Sequence, residues 1–286
     1  MTAPISAPRK DSTTHSTPSR IHSNDRSPHS GWLSKVPQVT LMFWVVKILA
    51  TTVGETGGDA FSMTMKLGYA ESSLIFLALF TFALAVQIRT KRFHPFSYWA
   101  VVVMTTTVGT TMSDYLDRTL GLGYVRSSAL LLAGVLAILF IWKRVVGKVE
   151  FENIESRREE LFYWLTIVVS NTLGTALGDF LATSAGLGFE YGALVFAGLI
   201  ALVAFAHFRF KQIPASVLFW GAYVLTRPLG ATLGDTLTKA HDQGGFALGR
   251  ITSSLTILAM MVAAILIASI GSKKPDTRAL QSCTSA

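Results

Sequence analysis

Four carboxylates recur in one setting. Asp59, Asp114, Asp179 and Asp235 each close a phrase that opens on a tryptophan: Trp44…Gly54-Glu55-Thr56-Gly57-Gly58-Asp59, Trp99…Gly109-Thr110-Thr111-Met112-Ser113-Asp114, Trp164…Gly174-Thr175-Ala176-Leu177-Gly178-Asp179 and Trp220…Gly230-Ala231-Thr232-Leu233-Gly234-Asp235. The spacing is constant: Trp, nine residues, Gly, three residues, Gly or Ser, then Asp. All four phrases lie in apolar stretches, where a carboxylate costs at least about 2.5–3.5 kcal/mol near a bilayer centre and is expected to face an interior or a water-filled path. Carboxylates held at one level repel, so such a group is expected to be partly protonated or neutralised by a cation. Proton and cation then exclude one another from one site, which is the thermodynamic basis for exchanging them.

The surroundings suggest which cation. Glu55 adds a fifth acid, and Thr52, Thr56, Thr107, Thr110, Thr111, Asn171, Thr172, Thr175 and Thr232 supply further oxygens. The apolar stretches hold no Cys, and their one His, His207, lies at an end. Oxygen-only surroundings suit hard divalent ions such as Mg²⁺, Mn²⁺ or Ca²⁺, with Asp59, Asp114, Asp179 and Asp235 as the candidate ligands. Two cations also lie within these stretches. Lys47, three residues after Trp44, is expected to snorkel to the headgroups. Arg227 is deeper, and Pro228 after it is expected to open the helix ladder, which marks the fourth copy as the specialised one.

A phrase repeated at this period means one structural unit multiplied. Each unit pairs a phrase-bearing segment (about 41–65, 96–119, 161–184 and 216–239) with a plainer apolar one (about 72–88, 127–142, 191–208 and 251–270). A hydrocarbon core of roughly 30 Å takes about 20 helical residues, so each segment can cross once. An all-α integral membrane protein is expected, with eight transmembrane helices as four parallel two-helix repeats. The units run 39–92, 93–146, 161–212 and 213–271, between a disordered tail at 1–38, a charged linker at 147–160 and a tail at 272–286. Within a unit the chain reverses at Leu67-Gly68-Tyr69, Leu122-Gly123-Tyr124, Leu187-Gly188-Phe189 or Gln243-Gly244-Gly245-Phe246, and Ser72, Ser127 and Thr252 are expected to cap the helices that follow. The pairs Gly54/Gly58, Gly109/Ser113, Gly174/Gly178 and Gly230/Gly234 are spaced i, i+4 and read as helix-packing faces. They predict that the phrase-bearing helices gather at the centre, with the plainer helices outside them.

Composition agrees: the chain has 286 residues, 50% of them hydrophobic and only 15% charged, with mean hydropathy +0.46, which points to a membrane protein with the bilayer as its main partner. Of the 25 Lys and Arg, only Lys66, Arg118, Arg126, Lys239 and Arg250 flank the glycine turns, while most of the rest lie in the tails and between units. The positive-inside rule then puts both termini in the cytoplasm, so the net charge of +8 needs no nucleic acid. His15, His22 and His29 recur in a Ser/Pro-rich stretch that offers no helix to align them, and Cys283 stands alone in a tail. No cofactor motif and no catalytic set such as His-Glu-x-x-His is present, so an enzyme is not expected.

The four tryptophans with their Gly…Asp phrases resemble a family of bacterial polytopic "membrane-anchored" proteins built of four tandem repeats of unknown function, each with two transmembrane segments and one tryptophan. The resemblance covers about residues 40–270 and implies a bacterial inner membrane. The residues themselves lead to a transporter, with cation export or proton-coupled exchange along a path lined by Asp59, Asp114, Asp179, Asp235, Glu55 and Arg227. Proton-coupled transport of an organic anion on Arg227, or a non-transporting scaffold or stress protein, are the alternatives.

Overall fold

The computed structural model describes residues 37, 39–90, 94–149 and 156–271. The expected tails, with His15, His22, His29 and Cys283, and the linker acids Glu150, Glu152 and Glu155 lie outside the described residues.

Eight long α-helices form among the described residues: α1 (Leu41–Asp59), α2 (Tyr69–Arg89), α3 (Pro95–Asp114), α4 (Tyr124–Val146), α5 (Arg157–Asp179), α6 (Gly188–Arg209), α7 (Ala215–Thr238) and α8 (Arg250–Gly271). Five helical stretches are long and apolar enough to cross a membrane: Tyr69–Arg89, Gly123–Val146, Arg157–Ser184, Gly188–Arg209 and Arg250–Ile270. With half of all residues apolar, this marks a membrane protein. The plainer helices run 21 to 23 residues, longer than their apolar runs alone suggest.

The helix starts are set differently from expectation. Thr40 accepts from the Phe43 amide, and Ser156 and Glu159 form a reciprocal capping box at the head of α5. Ser72, Ser127 and Thr252 do not cap, because α2, α4 and α8 begin before them. The Ser127 hydroxyl instead donates back to the Gly123 carbonyl at 3.1 Å. The chain reverses through Gly68, Gly123 and Gly188, whose φ values of +83°, +72° and +75° suit a residue without Cβ.

The phrase-bearing helices close into a ring: α1 packs on α3, α3 on α5, α5 on α7, and α7 on α1. Outside them, α2 packs on α3, α4 on α5, α6 on α7, and α8 returns to α1. Each peripheral helix thus leaves its own unit and covers the central helix of the next, which ties all four units into one quasi-fourfold body. Residues such as Leu74, Phe82, Leu130, Leu194, Leu202 and Ile267 stay exposed on the peripheral helices, as a lipid-facing shell requires.

The glycines set how closely the ring closes. A Cβ on Gly54 would overlap Thr106, one on Gly109 would come to 2.9 Å from the Asn171 backbone, one on Gly174 would overlap Arg227, and one on Gly230 would overlap Thr51. In every case the partner lies three residues before the corresponding glycine of the next unit. That partner then ties back across the same seam in all four: Thr51 Oγ1 donates to the Thr226 carbonyl (3.2 Å), Thr106 Oγ1 to the Ala50 carbonyl (3.1 Å), Asn171 Nδ2 to Thr105 Oγ1 (3.0 Å), and Arg227 Nη2 to Thr175 Oγ1 (2.5 Å). Replacing Gly230 by Ala is expected to lower stability by about 1–3 kcal/mol through overpacking. Gly57→Ala on α1, where nothing lies within 4 Å of the added methyl, is expected to be neutral or stabilising. Thermal unfolding of the purified chain in detergent separates the two.

One end of the ring is aromatic. Phe43, Tyr98, Tyr163 and Phe219, each one residue before a phrase tryptophan, pack with Trp99 and Trp164, and the Tyr98 and Tyr163 hydroxyls meet at 2.9 Å. Trp99 and Trp164 are buried in protein at 5% and 2% exposure, so these tryptophans pack the core and do not mark a headgroup interface.

Candidate functional site

The site is a stack of layers down the axis of the ring, each formed by equivalent residues of the four units. Seven residues before the phrase glycines lie Lys47, Val102, Ile167 and Tyr223; three before them lie Thr51, Thr106, Asn171 and Arg227. One after them come Glu55, Thr110, Thr175 and Ala231, and five after them the four aspartates.

All four aspartates are buried, at 1–2% exposure, at the end of the bundle that carries the glycine turns. A five-residue π-helical turn follows directly in three units, Ala60–Thr64, Tyr115–Thr119 and Phe180–Ser184, an insertion often found at functional positions. In the fourth unit α7 stays α-helical, with the Lys239 amide bonded to the Asp235 carbonyl at 2.8 Å. It also runs unbroken through Pro228, so the expected break in the helix does not divide it.

Cations of the chain itself stand against the aspartates. Arg118 pairs with Asp114 through Nε at 3.0 Å and with Asp179 through Nη2 at 3.7 Å. Lys239 Nζ lies 3.2 Å from both Asp235 and Asp59, and Arg250 Nε reaches Asp59 at 3.5 Å. Arg118 and Lys239 both stand nine residues after their glycine, where units one and three carry Met63 and Thr183. Hence the layer has twofold character within the fourfold ring: two carboxylates to each tethered cation, and four aspartates facing three cations among the described residues. Among the described residues no three Asp, Glu, His or Cys side chains gather as a metal ligand set. Sequence reasoning placed Arg118, Lys239 and Arg250 in the turns and missed them here, although Asp114/Arg118 and Asp235/Lys239 carry the i, i+4 spacing of a helical ion pair.

Above the aspartates, Arg227 fills the axis. It is fully buried, and its Nη2 lies within hydrogen-bond distance of Glu55 Oε2 (2.9 Å), Thr110 Oγ1 (2.6 Å) and Thr175 Oγ1 (2.5 Å). Those three residues occupy the same position in units one, two and three. One arginine of the fourth unit therefore binds the other three, and Thr110 closes the set by donating to Glu55 at 3.1 Å. Lys47 does not snorkel: it is 0% exposed, with its ammonium 4.1 Å from the centre of the Tyr223 ring. Its place on the ring-facing side of α1 turns it inward, away from the headgroups.

A cavity of about 600 Å³ opens at the turn end, lined by Arg118 and Lys239 together with Thr183, Phe189, Glu190, Asp242 and Gln243 among others. The two tethered cations thus have aspartates on one side and open space on the other.

A ring of four homologous helix pairs, closed on itself and enclosing buried ion pairs, defines a tandem-repeat polytopic membrane protein. The four copies match the family described as Repeat of Unknown Function (DUF347), at residues 42–93, 97–147, 162–212 and 218–273, and the chain belongs to that family. No curated protein and no solved structure matches it.

Proposed function

We propose that this protein is a transporter that exchanges a hard cation for protons at the aspartate layer, spanning a bacterial inner membrane eight times with both termini in the cytoplasm. The observation that carries this reading is the tethered-cation arrangement. Four buried carboxylates, which outnumber by one the cations that face them among the described residues, lie directly below an open cavity lined by two of those cations.

Lys239 and Arg118 act in this reading as built-in competitors. With the site empty, they hold the carboxylates and keep the layer from repelling itself. A cation entering from the cavity takes the aspartate oxygens and pushes a tethered cation towards the space it already lines. Protons arriving on the carboxylates remove the charge that held the cation, which leaves. The aromatic layer at the other end and the Arg227–Glu55 pair between them keep the axis closed to free passage, as exchange demands. Oxygen-rich surroundings favour a hard ion, and Mn²⁺, Mg²⁺ and Ca²⁺ are the first to try.

The test is transport by the purified full chain in proteoliposomes carrying an imposed pH gradient, with each of these ions in turn. Asp59→Asn, Asp114→Asn, Asp179→Asn and Asp235→Asn are each expected to lower the exchange rate at least about tenfold, a loss of about 1.4 kcal/mol or more, while inserting normally. Unchanged exchange in all four overturns the reading. Variants that lose stability while the wild type carries none of the ions favour a scaffold.

A further inference from the structure

The layer between the aromatic end and Arg227 holds more positive charge than its surroundings answer. Lys47 is 0% exposed, and among the described residues its Nζ has no hydrogen-bond partner and no ion pair. Arg227, also 0% exposed, uses Nη2 on Glu55 and its companions, while Nε and Nη1 are without partners. The Tyr223 hydroxyl, one helical turn before Arg227 and buried beside Lys47, is a third unpartnered donor. Lys47 and Arg227 stand on α1 and α7, which pack together: Thr51, one turn after Lys47, donates to the carbonyl of Thr226, the neighbour of Arg227.

Buried donors in native proteins are almost always satisfied, and an uncompensated buried charge costs several kcal/mol. Two cations and a hydroxyl with donors to spare, on facing helices and shut off from solvent, make an arrangement complementary to a negative charge. Among the described residues the carboxylate in contact, Glu55, is shared with Thr110 and engages a single nitrogen of Arg227. The Lys47 ammonium rests over the face of the Tyr223 ring, and among the described residues neither it nor the Tyr223 hydroxyl has a hydrogen-bond acceptor.

We propose that Lys47, Arg227 and Tyr223 form an interior site for one small monovalent anion of the halide or carboxylate class. The anion would bridge the ammonium and the guanidinium and accept from the phenol. It would couple the α1–α7 seam, the one at which the first and fourth units close the ring. The site occupies a different layer from the aspartates and stands whether or not they exchange cations, so the two ideas fail separately.

The experiment uses the full chain in detergent at constant ionic strength, with gluconate, too bulky for the site, as the replacement anion. The thermal unfolding midpoint is expected to rise as gluconate is exchanged for chloride, by on the order of 5 °C at a hundredfold excess over the dissociation constant. Formate is expected to act likewise. Lys47→Met should lose the increment. Bromide, a quencher, should reduce tryptophan fluorescence saturably through Trp220, whose ring lies 5.6 Å from that of Tyr223, and chloride should reverse it. That arm needs no variant and decides the matter even if Lys47→Met does not fold. A wild-type midpoint indifferent to chloride, a chloride increment that survives in folded Lys47→Met, or quenching that grows linearly without saturation overturns the proposal.

Discussion

Arg227→Met is expected to destabilise the protein by about 3–5 kcal/mol, because it leaves the Glu55 carboxylate buried beside two threonines with no opposing charge. Thr110 and Thr175 lose their common partner in the same step, so the damage spreads to three units. The companion variant separates charge from shape. Glu55→Gln combined with Arg227→Met removes both ends of the pair at 2.9 Å, and a buried pair replaced as a whole is often tolerated. The double variant is expected to recover most of the loss, which a double-mutant cycle on unfolding midpoints reads directly. A double variant as unstable as the single one would mean that Arg227 matters for its bulk against Gly174, whose Cα it covers.

The second large effect falls on affinity. If Lys239 occupies the space between Asp59 and Asp235 about nine-tenths of the time, it weakens the apparent affinity for an entering cation about tenfold, since a ligand sees only the competent fraction. On the proposed exchange, Lys239→Met is therefore expected to tighten binding of Mn²⁺, Mg²⁺ or Ca²⁺ by about tenfold and to slow its release. Titration of the purified protein with the cation by calorimetry measures this. A fall in affinity would make Lys239 a partner of the bound state and remove the competition from the account.

Much of this architecture is legible in the sequence because it is local and repeated. The constant interval from tryptophan to aspartate sets four copies in one register, and the i, i+4 glycines predict a central face, which the ring has. Other features depend on how the units meet. Nothing local says that α2 covers α3 or that α8 returns to α1, because the peripheral helices are apolar around much of their surface. Lys47 illustrates the cost: judged by distance from Trp44 it should reach the headgroups, but its position on α1 faces the ring interior. Arg227 stands out as a buried charge, yet its partners Thr110 and Thr175 are identified only when equivalent positions of four units are laid around one axis. Arg118 and Lys239 were readable from their i, i+4 spacing to the aspartates, and assigning them to the turns by side of the membrane hid it.

In the proposed exchange, protons and a cation compete for the aspartate layer through the tethered lysine and arginine. Proton release from the purified, weakly buffered protein on addition of Mn²⁺, Mg²⁺ or Ca²⁺, followed with a pH-sensitive dye, tests that competition. Saturable proton release is expected from the wild type and a much smaller release from Asp235→Asn. Cation binding with no proton release, or equal release from the aspartate variant, would contradict it.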